Sequence, residues 1–178
     1  MLLRGYRVRY DRSMNYTSLS DSPGVPLLPP IAFALCLGMG VLVDSFFPTP
    51  LAHHFIFARI FFGSVACLGG GWILTLGFRL FVQAKTDPLT TRPASTLVTT
   101  GIYRRSRNPM YIGEIAILVG IGILSNSWWI LAGSGVFCCY LRYYVIRREE
   151  AYLLRRFGDA YGLYCRTVYR WWTLSRLR

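Results

Sequence analysis

The sequence predicts an all-α fold: a multi-span membrane helix bundle with about four transmembrane helices, the last two as a tight hairpin, and a cytoplasmic C-terminal helical tail. Of the 178 residues, 53% are hydrophobic, although the formal net charge is +12. The charges lie in blocks between long uncharged stretches, whereas a soluble domain scatters them around apolar positions at helical period. Basic blocks between apolar runs are typical of membrane proteins. A chain of this length forms one compact domain at most.

The first half of the chain contains two apolar runs that predict transmembrane helices. The first helix is expected over about 31–47, because Pro29 and Pro30 can occupy a first turn without losing a hydrogen bond. The second run, 60–78, approaches the ~20 residues that cross ~30 Å of hydrocarbon. Three consecutive glycines, 69–71, interrupt its middle. We interpret them as a site of close helix packing rather than a functional break.

The third apolar run, 115–141, carries no charge and is long for one span. Turn-forming residues lie in its centre, at 125–127, so one tilted helix and a tight helical hairpin both fit its length. A single span would place the basic segments 79–107 and 142–178 on opposite sides of the membrane, against the positive-inside rule. The sequence therefore predicts a hairpin, four spans, and cytoplasmic N- and C-termini.

The ends of the last two helices have recognisable signals. Asn108 as N-cap and Pro109 at the first helical position predict a third helix over about 109–125. The fourth helix is expected to start just after the turn and to run past Arg148. Gly158 indicates a helix end with glycine in the left-handed conformation, followed by a short aromatic and basic tail.

Several classes of protein are disfavoured by composition. The basic excess points first to nucleic acid or an anionic lipid surface. No nucleic-acid-binding module accompanies the arginines, so the lipid bilayer is the expected partner. The five cysteines follow no disulfide or metal-ligand spacing, so no metal is expected. The first twenty residues contain no apolar stretch of the kind that a cleaved signal peptide needs.

Two segments carry the candidate chemistry. Residues 95–111 run from a polar loop into a helix N-terminus, where backbone N–H groups are available to a polar or acidic ligand. Glu149 and Glu150 follow the fourth span and point about 100° apart on a helix, so they cannot share one role. One is expected to face the bundle and the other water. A solvated charge cluster is the alternative interpretation.

Glu114 is a third candidate, about one turn into the third helix. The favoured interpretation is an ion pair with Arg104, Arg105 or Arg107, or favourable placement near the helix N-terminus. The alternative is a functional role, because polar groups at membrane depth often have one.

Three strings in the second half resemble the isoprenylcysteine carboxyl methyltransferase and phospholipid methyltransferase superfamily of integral membrane enzymes. The resemblance covers about 95–172, and it is specific because the strings occur in order with membrane spans between them. The strings are Leu97-Val-Thr-x-Gly-x-Tyr103, Arg107-Asn-Pro-x-Tyr111-x-Gly113, and Glu149-Glu-x-x-Leu153-x-x-x-Phe-Gly158-x-x-Tyr161-x-x-Tyr164.

The resemblance implies a pocket for S-adenosyl-L-methionine, built by the loop before the third helix and the tail after the fourth. Backbone contacts would come mostly from Ser95, Thr96, Leu97 and Val98. The implied side-chain and lining contacts are Tyr103, Asn108, Pro109, Met110 and Tyr111, with Glu149 binding the polar end of the cofactor.

The candidate catalytic residues are Glu150 and Arg147. Glu150, or Glu114, would serve as a base if the acceptor is an amine. The isoprenylcysteine branch of the family has an arginine four residues before the matching glutamate, and that position is Val145 here. Arg147 is near it in sequence but on another face of the helix. This departure argues against prenylcysteine as the substrate.

The expected function is S-adenosylmethionine-dependent methyl transfer to a lipophilic or membrane-associated small molecule, with a carboxylate, amine or thiol acceptor, at the cytoplasmic interface. An NADPH-dependent, sterol-reductase-like enzyme shares the Asn/His-Pro-x-Tyr step but fits the Glu-Glu string less well. A non-enzymatic membrane scaffold is the third possibility. The predicted parts are a cytoplasmic basic N-terminus (1–24), two transmembrane helices (25–82), and the cofactor-binding loop, hairpin and tail (83–178).

Overall fold

A computed structural model describes residues 23–25, 27–51, 55–86 and 94–172. The described residues are mainly helical and contain no named β-strand, so the predicted all-α class is confirmed. The elements are α1 (Pro29–Phe46), α2 (Ile56–Gln83), a 3₁₀ turn (Gly101–Arg104), α3 (Pro109–Leu124), α4 (Trp128–Tyr140), a π-helical segment (Leu141–Val145) and α5 (Ile146–Thr167).

Among the described residues, three helices are long and apolar enough to cross a membrane: α1, α2 and the continuous helix from Trp128 to Thr167. The fourth predicted span, α3, is apolar but has 16 residues. The continuous helix has 40 residues, which at 1.5 Å per residue is about twice the thickness of the hydrocarbon. Roughly twenty residues counted from Trp128 end near Arg147, so α5, with its many charges, lies outside the membrane-spanning part.

The predicted boundaries hold for the first and third helices. Pro29 and Pro30 open α1, and Pro109 opens α3. The second helix, α2, is longer than predicted at 28 residues, because it continues past the apolar run at both ends. Gly158 has φ +50°, as predicted, but the chain does not leave the helix for good there. Helical structure resumes and continues to Thr167, which corrects the prediction of a short tail directly after Gly158.

A seam of glycines joins α2 to α3. A Cβ atom added at Gly70 would lie 2.6 Å from the carbonyl oxygen of Gly113, and one at Gly120 would lie 2.8 Å from that of Gly63. The backbones therefore approach more closely than any side chain would permit. Of the three glycines at 69–71, only Gly70 makes this contact, since the other two face open space.

The hairpin end of the bundle is held by polar contacts. The Ser127 hydroxyl caps α4 by accepting from the Ile130 N–H, and it donates to the Asp44 carboxylate at 2.7 Å. Trp128 N–H donates to the Thr49 carbonyl oxygen at 3.2 Å. These bonds tie the turn between α3 and α4 to the end of α1, as the predicted tight hairpin requires.

The core lies between α1, α3 and the long helix. Leu118, Phe137, Leu141, Val145 and Ile146 are fully buried, and the π-helical segment contributes two of these five. The segment precedes α5 directly, so its geometry sets the direction of the first side chains of α5.

Candidate active site

A cavity lies where the loop 94–108, the start of α3 and α5 meet. It is lined along one side by the loop and along the other by α5. The lining residues are Pro23, Phe81, Ala94, Thr96, Leu97, Val98, Tyr103, Arg107, Asn108, Met110, Tyr111, Glu149, Glu150, Tyr152, Leu153, Tyr161 and Tyr164.

The loop is fixed at its beginning by hydrogen bonds. Ala94 N–H donates to the Tyr152 hydroxyl at 2.9 Å, and Ser95 N–H donates to the Thr86 hydroxyl at 3.1 Å. Gly101 turns the chain with φ +58°, and an added Cβ would lie 2.8 Å from the Leu80 side chain. The loop therefore packs on both the end of α2 and the second turn of α5.

Tyr103 forms the floor of the loop. It is buried with 6% of its surface exposed, and its ring packs edge-on against Phe81 at 5.6 Å between centroids. The Tyr164 hydroxyl donates to the Tyr103 carbonyl oxygen at 2.7 Å. Burial is the main cause that raises the pKa of the Tyr103 phenol, so the group is neutral at physiological pH.

Glu150 joins three parts of the chain through one carboxylate. Its Oε1 lies 3.1 Å from Arg107 Nη1 and accepts from Arg170 Nε at 2.9 Å, while its Oε2 accepts from Arg170 Nη2. The side chains of Arg107 and Glu150 are 7% and 15% exposed. Two guanidinium groups therefore hold both carboxylate oxygens, and the ion pairs join α5, the loop and the segment after α5.

Hydrogen bonds near these ion pairs also connect the loop to the segment after α5. Asn108 Nδ2 donates to the Arg170 carbonyl oxygen at 2.9 Å, and Arg107 N–H donates to the Tyr169 carbonyl oxygen at 3.1 Å. Asn108 occupies the N-cap position of α3, but its side chain makes no capping bond. Its amide instead holds the C-terminal segment against the loop, which corrects the predicted capping role.

Glu149 faces the cavity beside Tyr111. The Tyr111 hydroxyl donates to Glu149 Oε1 at 2.6 Å. Within the described part of the chain, Glu149 makes no ion pair. Burial raises the pKa of Glu149 to about 7, although the hydrogen bond from Tyr111 opposes the shift. A cationic ligand placed here would meet the Glu149 carboxylate, which no cation neutralises among the described residues. The hydrogen bond from the Tyr111 hydroxyl orients this carboxylate.

The N-terminal side of the cavity is closed by a segment that the sequence did not indicate. Pro23 lines the cavity, Arg148 Nη1 donates to the Gly24 carbonyl oxygen at 2.6 Å, and the Tyr140 hydroxyl donates to the Leu27 carbonyl oxygen at 2.6 Å. Arg148 therefore holds this segment on the side of the helix away from the carboxylates.

Most of the sequence-derived site residues meet at the cavity. Ser95 does not line it and instead ties the loop to Lys85 and Thr86. Pro109 is fully buried at the start of α3, and Arg147 is exposed on α5 and absent from the lining. The predicted site residues that line the cavity are Thr96, Leu97, Val98, Tyr103, Asn108, Met110, Tyr111, Glu149 and Glu150.

Other lining residues were missed. The third resemblance string already contained Leu153, Tyr161 and Tyr164. Leu153 is four residues from Glu149 and Tyr164 is three from Tyr161, spacings that mark one helix face. That spacing was the available signal. Arg107 was contained in the second resemblance string. Phe81 and Tyr152 had no comparable signal, because their placement depends on contacts distant in sequence.

The expected ion pair of Glu114 is not formed with Arg107, which binds Glu150 instead. Glu114 Oε2 is buried and has no hydrogen-bond partner in the part of the chain that the structure describes.

The cavity lies beside the membrane-crossing helices, with an acid and a tyrosine at the end of the last span. A family model described as phospholipid methyltransferase matches residues 58–160, more than half of the chain. The chain belongs to the phospholipid methyltransferase family, and it is a membrane methyltransferase. The match confirms the resemblance and extends it to α2. No individual curated protein matches the chain.

Proposed function

We propose that the protein transfers a methyl group from S-adenosyl-L-methionine to a lipophilic acceptor at the cytoplasmic membrane interface, with both termini in the cytoplasm. The observation that carries the proposal is the pair of Glu149 and Tyr111 on the cavity wall, joined by a 2.6 Å hydrogen bond. The carboxylate has no counter-ion among the described residues, and the cofactor carries two positive charges.

The lining supplies the contacts that this cofactor needs. Glu149 would bind the ammonium of its amino-acid part through a charge-assisted hydrogen bond. The apolar and aromatic groups of Leu97, Val98 and Phe81 would pack on the adenine ring. Bound here, the cofactor supplies an electrophilic methyl group on a sulfonium.

The protein contributes orientation and exclusion of water. Glu150 joins α5 to the loop and to the segment after α5, so the walls around the reacting groups are fixed before ligands bind. Transfer from a sulfonium to a neutral nucleophile moves the existing positive charge and creates no new one, so a site that excludes water does not oppose the reaction. We assign Glu150 this anchoring role in place of a base, because both of its oxygens are held by guanidinium groups.

The charges of the cavity favour a neutral acceptor over a carboxylate. Arg107 is the one cationic side chain among the described residues that line the cavity, and Glu150 neutralises it. Val145, at the family's arginine position, is fully buried in the core. An acceptor carboxylate would therefore meet Glu149 without a free cation to compensate, so an amine or thiol fits better.

The cofactor assignment is tested by titrating the purified protein with S-adenosylmethionine, S-adenosylhomocysteine and NADPH while following thermal stability. Stabilisation by the first two alone is expected. Glu149→Gln should weaken S-adenosylmethionine binding about ten- to hundredfold, as for loss of a hydrogen bond to a charged group, while Arg147→Gln should leave it unchanged. Stabilisation by NADPH alone would show a reductase. If none of the three stabilises the protein, the non-enzymatic membrane scaffold is the remaining interpretation.

A further inference from the structure

Glu114 lies one helical turn beyond the cavity, toward the hairpin end of α3. Residues three and four apart share one face of a helix, so Glu114 continues the face on which Tyr111 and Met110 line the cavity. It is the sixth residue of α3, which places it about 8 Å along the helix axis from the first. Of the acids near the cavity, it therefore lies deepest toward the membrane.

Among the described residues, the Glu114 carboxyl group has an oxygen without a partner. Oε2 is fully buried and makes no hydrogen bond. The two guanidinium groups nearest the cavity, from Arg107 and Arg170, are bound to Glu150. Glu114 is close enough to Glu149 and Tyr111 to interact with both electrostatically. A buried polar atom without a partner is unfavourable, so a ligand that donates a hydrogen bond to it gains affinity.

We propose that Glu114 binds the methyl acceptor, accepting a hydrogen bond from the group that carries the reacting atom. The inference rests on the proposed function, in which Glu149 takes the charged amino-acid end of the cofactor. A lipophilic acceptor would reach the cavity from the membrane side, where Glu114 has an oxygen without a partner among the described residues. Glu114 would thus select acceptors that present an N–H or O–H hydrogen and would orient them toward the transferred methyl.

The inference can be tested without knowing the acceptor. Sinefungin is an analogue of S-adenosylmethionine with an amine-bearing carbon in place of the methyl sulfonium, so its ammonium projects toward the acceptor position. S-adenosylhomocysteine has no group there. The ratio of the two affinities, measured by calorimetry on the full chain, reports contacts at the acceptor position and cancels those shared by both ligands.

Glu114→Gln should reduce the preference for sinefungin about tenfold or more, the usual effect of losing a hydrogen bond to a charged group. Binding of S-adenosylhomocysteine should be retained, which also shows that the variant is folded. Glu114→Asp should recover part of the preference. Glu149→Gln should weaken both ligands equally and leave the ratio unchanged.

Two outcomes separate the possible failures. If Glu114→Gln binds both ligands with the wild-type ratio, Glu114 does not face the acceptor position and this inference is wrong, although the proposed function stands. If the wild-type protein binds neither ligand, both the proposed function and this inference are wrong.

Discussion

Replacing Gly70 by alanine tests whether the glycine seam between α2 and α3 holds the bundle together. The new Cβ would lie 2.6 Å from the Gly113 carbonyl oxygen and 3.0 Å from the Ile117 nitrogen. Both are backbone atoms, so the helices themselves must separate, by about 0.8 Å, to restore an ordinary contact of 3.4 Å. Overpacking costs about 1–3 kcal/mol. Alanine's helix propensity offsets about 1 kcal/mol of that cost, so we expect a net loss of about 0–2 kcal/mol relative to the unaltered protein.

The neighbouring glycines provide matched controls. An added Cβ at Gly69 or Gly71 meets nothing within 4 Å, so alanine there should be neutral or stabilising by up to about 1 kcal/mol. The assay is reversible unfolding of the three purified variants in the same detergent, by heat or by a denaturing detergent titration. Equal stability of all three variants would refute the close backbone approach at Gly70.

Three further predictions concern the site. Glu150→Gln leaves a buried guanidinium without its counter-ion and should cost about 2–3 kcal/mol of stability, slightly less than breaking a fully buried ion pair. Arg147→Gln should cost nothing measurable in the same thermal assay. S-adenosylmethionine affinity should fall as the pH drops through about 7, since protonation removes the charge of Glu149, and calorimetry across that range on Glu149→Gln should show a flat profile. Deleting Tyr143, which is 59% exposed in the π-helical segment, should convert the segment to α-helix and preserve cofactor binding. Deleting Ala132 from α4 should instead abolish cofactor binding.

The spans were predictable because the signal is local. An uncharged run of the right length is stable across a bilayer whatever its neighbours are. The turn at Ser125–Ser127 followed from the distribution of charge, which is also read directly from the sequence. Helix ends were less predictable where the helix outruns the apolar stretch, as α2 does at both ends.

The site was predictable where the family strings reach, and not beyond them. Neither the ion pairs that join Glu150 to Arg107 and Arg170 nor the placement of Pro23 has a sequence signal, because each joins residues far apart in the chain. Composition around residue 150 was consistent with a base or a solvated cluster. The contacts show instead that Glu150 holds the loop and the segment after α5 together through ion pairs.

The π-helical segment explains why Glu149, rather than its neighbour, faces the cavity. Counting about 100° per residue from the fully buried Phe137, an uninterrupted α-helix would turn Arg148 to within about 20° of the core-facing direction and Glu149 about 120° away from it. The π-helical segment accommodates one extra residue in its turn, which sets the later side chains back by about 100°. Glu149 then takes the inward direction and Arg148 turns outward to the Gly24 carbonyl oxygen. One inserted residue therefore decides whether the cavity presents a carboxylate or a guanidinium to a cationic ligand.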